Sequence, residues 1–285
     1  MPVTFRRNVV ANLLTTGWMA LLQFLITPII LWKLGVAGYA LVAFFATFMA
    51  FLAVLDLGLS ATLTRKIARR ESPGAAVLLR SFEVVYALVG VSVGCIIVAF
   101  ADVIATRWLH SRAIDEHEIR LAVRLMGILF ALRWVQLPYV ALLQGLQRQQ
   151  LLGFSNAILY TLANSIALAS LWLVSAEPTV FFAFLAVGTL VQVFALRTIA
   201  WRGSDVPRRG GEFDKRAFTS DPGFSAGMLG ISLTAIVLLH TDKLILSRIV
   251  SLEEFGVYAV GQALAASLNT IVLPVFNATY PRLCE

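Results

Sequence analysis

The sequence predicts an all-α fold, a polytopic helical membrane protein with about eight transmembrane helices, on three observations. First, stretches without Lys, Arg, Asp or Glu recur at 8–32, 34–55, 84–101, 149–176, 178–196, 222–241 and 255–281. An eighth stretch, about 121–147, is apolar but carries Arg124 and Arg133. A hydrocarbon core about 30 Å thick takes roughly 20 apolar residues per helix, and most of these stretches meet or approach that length. Second, 59% of the residues are hydrophobic and 14% charged, with a mean hydropathy of +0.83, whereas soluble domains are about 25% charged. Third, the loops between the stretches alternate between arginine-rich and arginine-poor.

Span 1, about 9–32, follows Arg6-Arg7. It is long for a signal peptide and lacks a small-residue cleavage site, so it reads as a retained helix. Span 2, about 37–60, follows the LGVAGYA turn and runs on into ATLTRKIARR, whose basic face is expected on the inner leaflet surface. Spans 3 to 6 fall at about 83–106, 121–146, 150–175 and 179–199. The segment RGSDVPRRGGEFDKR is too polar to cross a membrane and reads as a cytoplasmic linker. Spans 7 and 8 follow at about 225–248 and 256–280. The chain thus divides into a six-helix lobe over 1–196, a linker over 197–223, and two helices of an incomplete second lobe over 224–285.

The net charge of +7 could indicate nucleic acid, but the placement of the charges excludes it. Fifteen basic residues lie on one set of loops: Arg6, Arg7, Arg65, Lys66, Arg69, Arg70, Arg80, Arg148, Arg197, Arg202, Arg208, Arg209, Lys215, Arg216 and Arg282. The opposite set holds Lys33, Arg107, Arg112 and Arg120, with Arg248 near a helix end. The positive-inside rule then makes both termini cytoplasmic. Trp32, Trp108 and Trp172 fall at the predicted outer ends of spans 1, 3 and 5, where an aromatic belt belongs. Cys95 and Cys284 give neither a disulfide pattern nor a metal-ligand spacing.

Sliding the start of the chain by 219 residues lays spans 1 and 2 on spans 7 and 8 and brings Gly38-Tyr39 onto Val257-Tyr258. Six intervening helices return the chain to its starting side, so the copies would be parallel repeats about an axis along the membrane normal.

Several segments carry a resemblance. NLLTTGW at 12–18, Pro28 with the LGVAGYA turn, LDLGLSATLTRKIA at 55–68, HTDKLILSRIVSLEEFGVYAVGQALAA at 240–266 and TYPRL resemble polysaccharide-biosynthesis flippases. These are the Wzx-like members of the MATE-related exporter superfamily that handles drugs, oligosaccharide-lipids and polysaccharides. The resemblance implies a MATE-like lobe and movement of undecaprenyl-pyrophosphate-linked sugars from the inner to the outer leaflet of a bacterial inner membrane. Members of the superfamily have two lobes with about twelve or fourteen helices, so the eight spans here are expected to be a fragment or to depend on a partner.

Of such a substrate, the anionic pyrophosphate and the glycan need help in crossing. Ionisable groups at membrane depth are expensive and mark candidate sites. Asn12, Thr16, Gln23 and Thr27 lie at offsets that place them within about 60° of one another on span 1; they either line a cavity or bond between helices. Gln262, Asn269 and Asn277 share a face of span 8, and Asn156, Tyr160 and Asn164 do so more loosely in span 5. Arg133, in the middle of span 4, is the leading anion ligand, with Gln144 on its face and Gln136 about 60° away; its fork suits phosphate. The competing reading pairs it with Asp242 or a carbonyl. Arg124 faces the other way, as a substrate contact or a snorkelling side chain. In the His240-Thr241-Asp242-Lys243 cluster, Lys243 is a second anion candidate, and Asp242 with His240 could couple transport to protons. Alternatively, Asp242 neutralises a basic neighbour.

Gly90-Val-Ser92-Val-Gly94 matches a nucleophile elbow in letters only, because it falls inside a span; close helix packing is the sounder reading. No catalytic, cofactor or metal motif stands out. The expectation is therefore a non-enzymatic flippase working by alternating access, with lipid-linked oligosaccharide, membrane lipids and polysaccharide-assembly proteins as partners. The alternatives are a cation-coupled exporter of small molecules and a non-transporting remnant or assembly partner. A membrane glycosyltransferase would need a larger outer loop than 107–120.

Overall fold

The computed structural model describes residues 3–70, 74–203, 213–218 and 222–265. They form α1 (Val3–Leu52), α2 (Leu59–Ala68), α3 (Ala75–Ala99), α4 (Ala101–Arg107), α5 (Glu116–Gly145), α6 (Gln149–Leu173), α7 (Pro178–Gly203) and α8 (Pro222–Ile249), then α9 over 252–265. Six of the described segments are long and apolar enough to cross a membrane. The fold class is the expected one.

α1 is two helices rather than one. Gly35 has φ 69° and ψ −179°, a conformation that L side chains avoid, and the chain doubles back there. The proof is a contact: the Tyr39 hydroxyl bonds Thr27, although these positions would lie ~18 Å apart along a straight helix. The arms, 3–34 and 36–52, are the predicted spans 1 and 2. The second arm stops earlier than expected. After a 3-10 turn at Ala53–Asp56, Leu57 and Gly58 adopt positive φ. Asp56 then accepts the Ser60 backbone N–H at 3.2 Å and its hydroxyl at 2.7 Å, and also bonds Tyr86. That carboxylate starts α2 as a new helix.

α2 is not the surface strip that its basic letters suggested. Leu63, Lys66 and Ile67 are all buried, and the helix packs on α5, where Gly145 admits Ile67 and the Thr64 carbonyl closely. Ala68, Arg69 and Arg70, at its end, stay on the outside.

α5 is the hub, packed by α3, α7 and α2. Lipid is as apolar as leucine, so close packing and polar contacts must hold such helices together. Gly94 and Gly127 supply the closest approach: a Cβ on either would stand 2.8 Å from the other's carbonyl. The Gly90–Gly94 motif is therefore a packing seam. An aromatic ladder of Tyr86, Trp134 and Phe130, with centroids 6.0 and 5.0 Å apart, fills the adjoining space.

α7 runs on to Gly203, into the segment read as linker, because Arg197 and Trp201 both reach Glu83 on α3. Beyond it, the Phe218 ring meets Phe82 at a tilt, with centroids 4.7 Å apart, fastening the segment around it to α3.

α8 packs on α1 and α2 yet remains open: the most apolar stretch of Leu229–Ile249 has none of its residues buried, against 56% for Glu116–Gly145. Its firm attachment is at one end. Glu253 accepts the Ser111 hydroxyl at 2.7 Å and the Arg112 and Ala113 N–H groups at 3.0 and 3.1 Å. The Leu252 N–H bonds the His110 carbonyl, and Trp108 donates to Ser247. Trp108, read above as a belt residue, therefore serves this clasp.

Candidate functional site

Two polar clusters flank the second arm of α1. The first is centred on Arg133, placed by α5 near the middle of its length. Its guanidinium lies over the Phe45 ring at 5.1 Å, and Tyr160 of α6 is within electrostatic range. The Tyr160 hydroxyl donates to Gln23 Oε1 at 3.1 Å. Arg133 and Gln23, far apart in sequence, are thus linked through one tyrosine.

The contact with Asp242 expected of a structural pair is not made, and among the described residues Arg133 has no ion-pair partner. A cation–π contact is worth ~0.5–2 kcal/mol, while an arginine at mid-helix in a membrane costs ~2.5–3.5 kcal/mol on insertion scales. Phe45 therefore steadies this charge without compensating it. One turn further along α5, Gln136 is 8% exposed and its Nε2 has no partner among the described residues.

The first arm of α1 runs parallel to α6 along this cluster, since its contacts pass from the start of α6 to its end. Thr15 meets Gly153, Trp18 donates to Thr161 at 2.9 Å, Gln23 meets Tyr160, and Trp32 meets Trp172. The predicted stripe on span 1 divides its work: Gln23 and Thr16 are exposed, whereas Thr27 donates to the Gln23 carbonyl.

The second cluster is centred on Asp242, which bonds the Tyr258 hydroxyl; Gln262 Nε2 donates to that hydroxyl at 2.9 Å. His240 meets the edge of Phe51 at 6.5 Å, with a buried Nδ1 that has no partner among the described residues. Lys243 reaches back to the Leu239 carbonyl at 3.5 Å. Phe45 and Phe51 are ~9 Å apart along the arm and ~120° around it, so the clusters occupy different flanks. No described contact joins Arg133 to Lys243.

The remaining candidates stand elsewhere. Arg124 pairs with Asp102 at 3.6 Å, beside Arg120, at the far end of α5. Gln144 is exposed. The side chain of Asn12, and Asn269 and Asn277 entirely, lie outside the described residues. Sequence reasoning missed Tyr258 as the partner of Asp242, because contacts across a hairpin carry no helical period. It also missed Glu83, which ends an apolar stretch and looks like a solvated boundary charge.

A family model described as "Polysaccharide biosynthesis protein" matches residues 5–285. Neither a curated protein nor a solved structure matches the chain significantly.

Proposed function

The chain belongs to the polysaccharide biosynthesis protein family, and from that premise we propose that it flips undecaprenyl-pyrophosphate-linked oligosaccharide across the bacterial inner membrane by alternating access. The carrying observation is Arg133: a cation inside the bundle, uncompensated by any described carboxylate and linked through Tyr160 to Gln23. A guanidinium forks onto phosphate oxygens, and the amide and phenol beside it match hydroxyl groups of a sugar. Lys243 is the second cation in this reading, on the other lobe. Family membership favours transport over catalysis.

Arg133→Ala should abolish glycan export in a flippase-deficient host while membrane protein levels stay near normal. Arg133→Lys should restore part of it, since charge is kept and the fork lost. Normal export by Arg133→Ala would eliminate the role in substrate binding.

A cation-coupled exporter is the second reading, favoured by the Asp242–Tyr258–Gln262 cluster. In a coupled flippase, Asp242→Asn should weaken the dependence of export on the ion gradient. In a small-molecule exporter, the same variant should abolish drug resistance and leave glycan untouched.

A further inference from the structure

At one end of the α1–α6 seam stands a cluster that the Arg133 site does not use. Lys33 Nζ lies 4.8 Å from the ring centroid of Trp32 and 4.8 Å from that of Trp172. The two indoles are 6.4 Å apart at 44°. Neither is packed away, being 74% and 51% exposed. Trp32 closes the first arm of α1 just before the Gly35 reversal, and Trp172 closes α6. Both therefore sit where hydrocarbon gives way to headgroups, the level that indole and snorkelled lysine prefer.

Among the described residues, Lys33 has no ion-pair partner and neither indole N–H has a hydrogen-bond acceptor. The aromatic faces hold the ammonium in place but leave its charge. They are also already taken by a cation, so this box cannot receive a choline-like group. What remains is one fixed positive charge beside two exposed indoles whose N–H donors have no acceptor among the described residues, at headgroup depth.

We propose that Lys33, Trp32 and Trp172 form an interfacial site for the phosphate of an anionic lipid. The ammonium supplies the charge, the indole N–H groups are the further donors, and the exposed ring edges pack on the glycerol or sugar beside the phosphate. Two lipids carry this chemistry: an anionic glycerophospholipid and a polyprenyl pyrophosphate.

The test is lipid retention by the purified full chain in detergent, read by native mass spectrometry. With equimolar phosphatidylglycerol and phosphatidylcholine, the wild type should retain phosphatidylglycerol preferentially. Lys33→Gln should lose about fivefold of that preference, the factor given by ~1 kcal/mol for one basic residue at an anionic lipid surface. Lys33→Arg should keep it, and Arg107→Gln, which removes an exposed basic residue outside this cluster, should leave it unchanged, so that the preference belongs to this cluster and its failure says nothing of the flipping reading. A second competition, phosphatidylglycerol against undecaprenyl pyrophosphate, assigns the source. A wild type without preference, a Lys33→Gln variant that keeps it, or an equal loss in Arg107→Gln would each overturn the proposal.

Discussion

Arg133 and Glu83 are both ionisable residues inside the bundle, and their surroundings treat them oppositely. Glu83 is 7% exposed and fully engaged: Trp201 donates to it at 2.9 Å, Arg80 at 3.1 Å and Arg197 at 3.4 Å, with Tyr139 alongside. It ties α3, α5 and α7 together. Removing one member of a buried charged network leaves the others unpaired, at about 3–5 kcal/mol, whereas a half-exposed pair is worth ~0–1 kcal/mol. Arg80 is 48% exposed. Glu83→Ala should therefore lower the unfolding temperature in detergent sharply, and Arg80→Ala only slightly. Equal effects would show that the node is a surface ion pair. Among the described residues Arg133 has an aromatic face and a phenol beside it and no carboxylate, which supports its proposed role as a phosphate ligand.

Among the elements, the α8–α9 turn depends most on a few contacts. Gly256 brings α9 against the α1 reversal: a Cβ there would stand 2.5 Å from the Val36 carbonyl, so the approach requires glycine. The Glu253 clasp completes the attachment. Partial burial pushes the Glu253 carboxyl up, but the Ser111 hydroxyl and the backbone N–H groups of Glu253, Arg112 and Ala113 outweigh it and hold the group at about 2. A depressed carboxylate stabilises its contacts above its unfolded value of about 4.5, and that contribution is lost as pH falls through about 2. Protection of the Arg112 and Ala113 amides against hydrogen exchange should be full at pH 7 and fall between pH 4.5 and 2, relative to intrinsic rates. Glu253→Gln should weaken it already at pH 7. Protection that is indifferent to both would remove the clasp as the holding element.

As a whole, the described residues form a bundle of six spans around α5, with the α8–α9 hairpin leaning on α1. Its orientation rests on the fifteen basic residues gathered on one set of loops. Reporter fusions after Gly74 and Gly210 should be cytoplasmic, and one after Ala113 external. An external signal at Gly210 would invert the scheme. The spans themselves were legible in the sequence because charge cannot be hidden in hydrocarbon, and expelling it from each crossing writes the crossing into the letters. The Gly35 reversal and the Gly94 packing seam were legible for the same local reason, since only glycine permits them. Arg133, Gln23 and Asp242 could be singled out as costly residues, one helix at a time. Their partners could not: Tyr160, Phe45, Tyr258 and three of the groups around Glu83 (Trp201, Arg197 and Tyr139) come from other helices, at separations without period, while Arg80 alone sits a turn away on the same helix. Lys66 also misled, because a basic letter in an amphipathic helix does not say which neighbour will cover it. Sequence alone determined which segments cross the membrane, because that follows from the free energy of each segment in water and in lipid. Which polar groups meet inside was decided by packing, because it depends on how helices distant in the chain are turned toward one another.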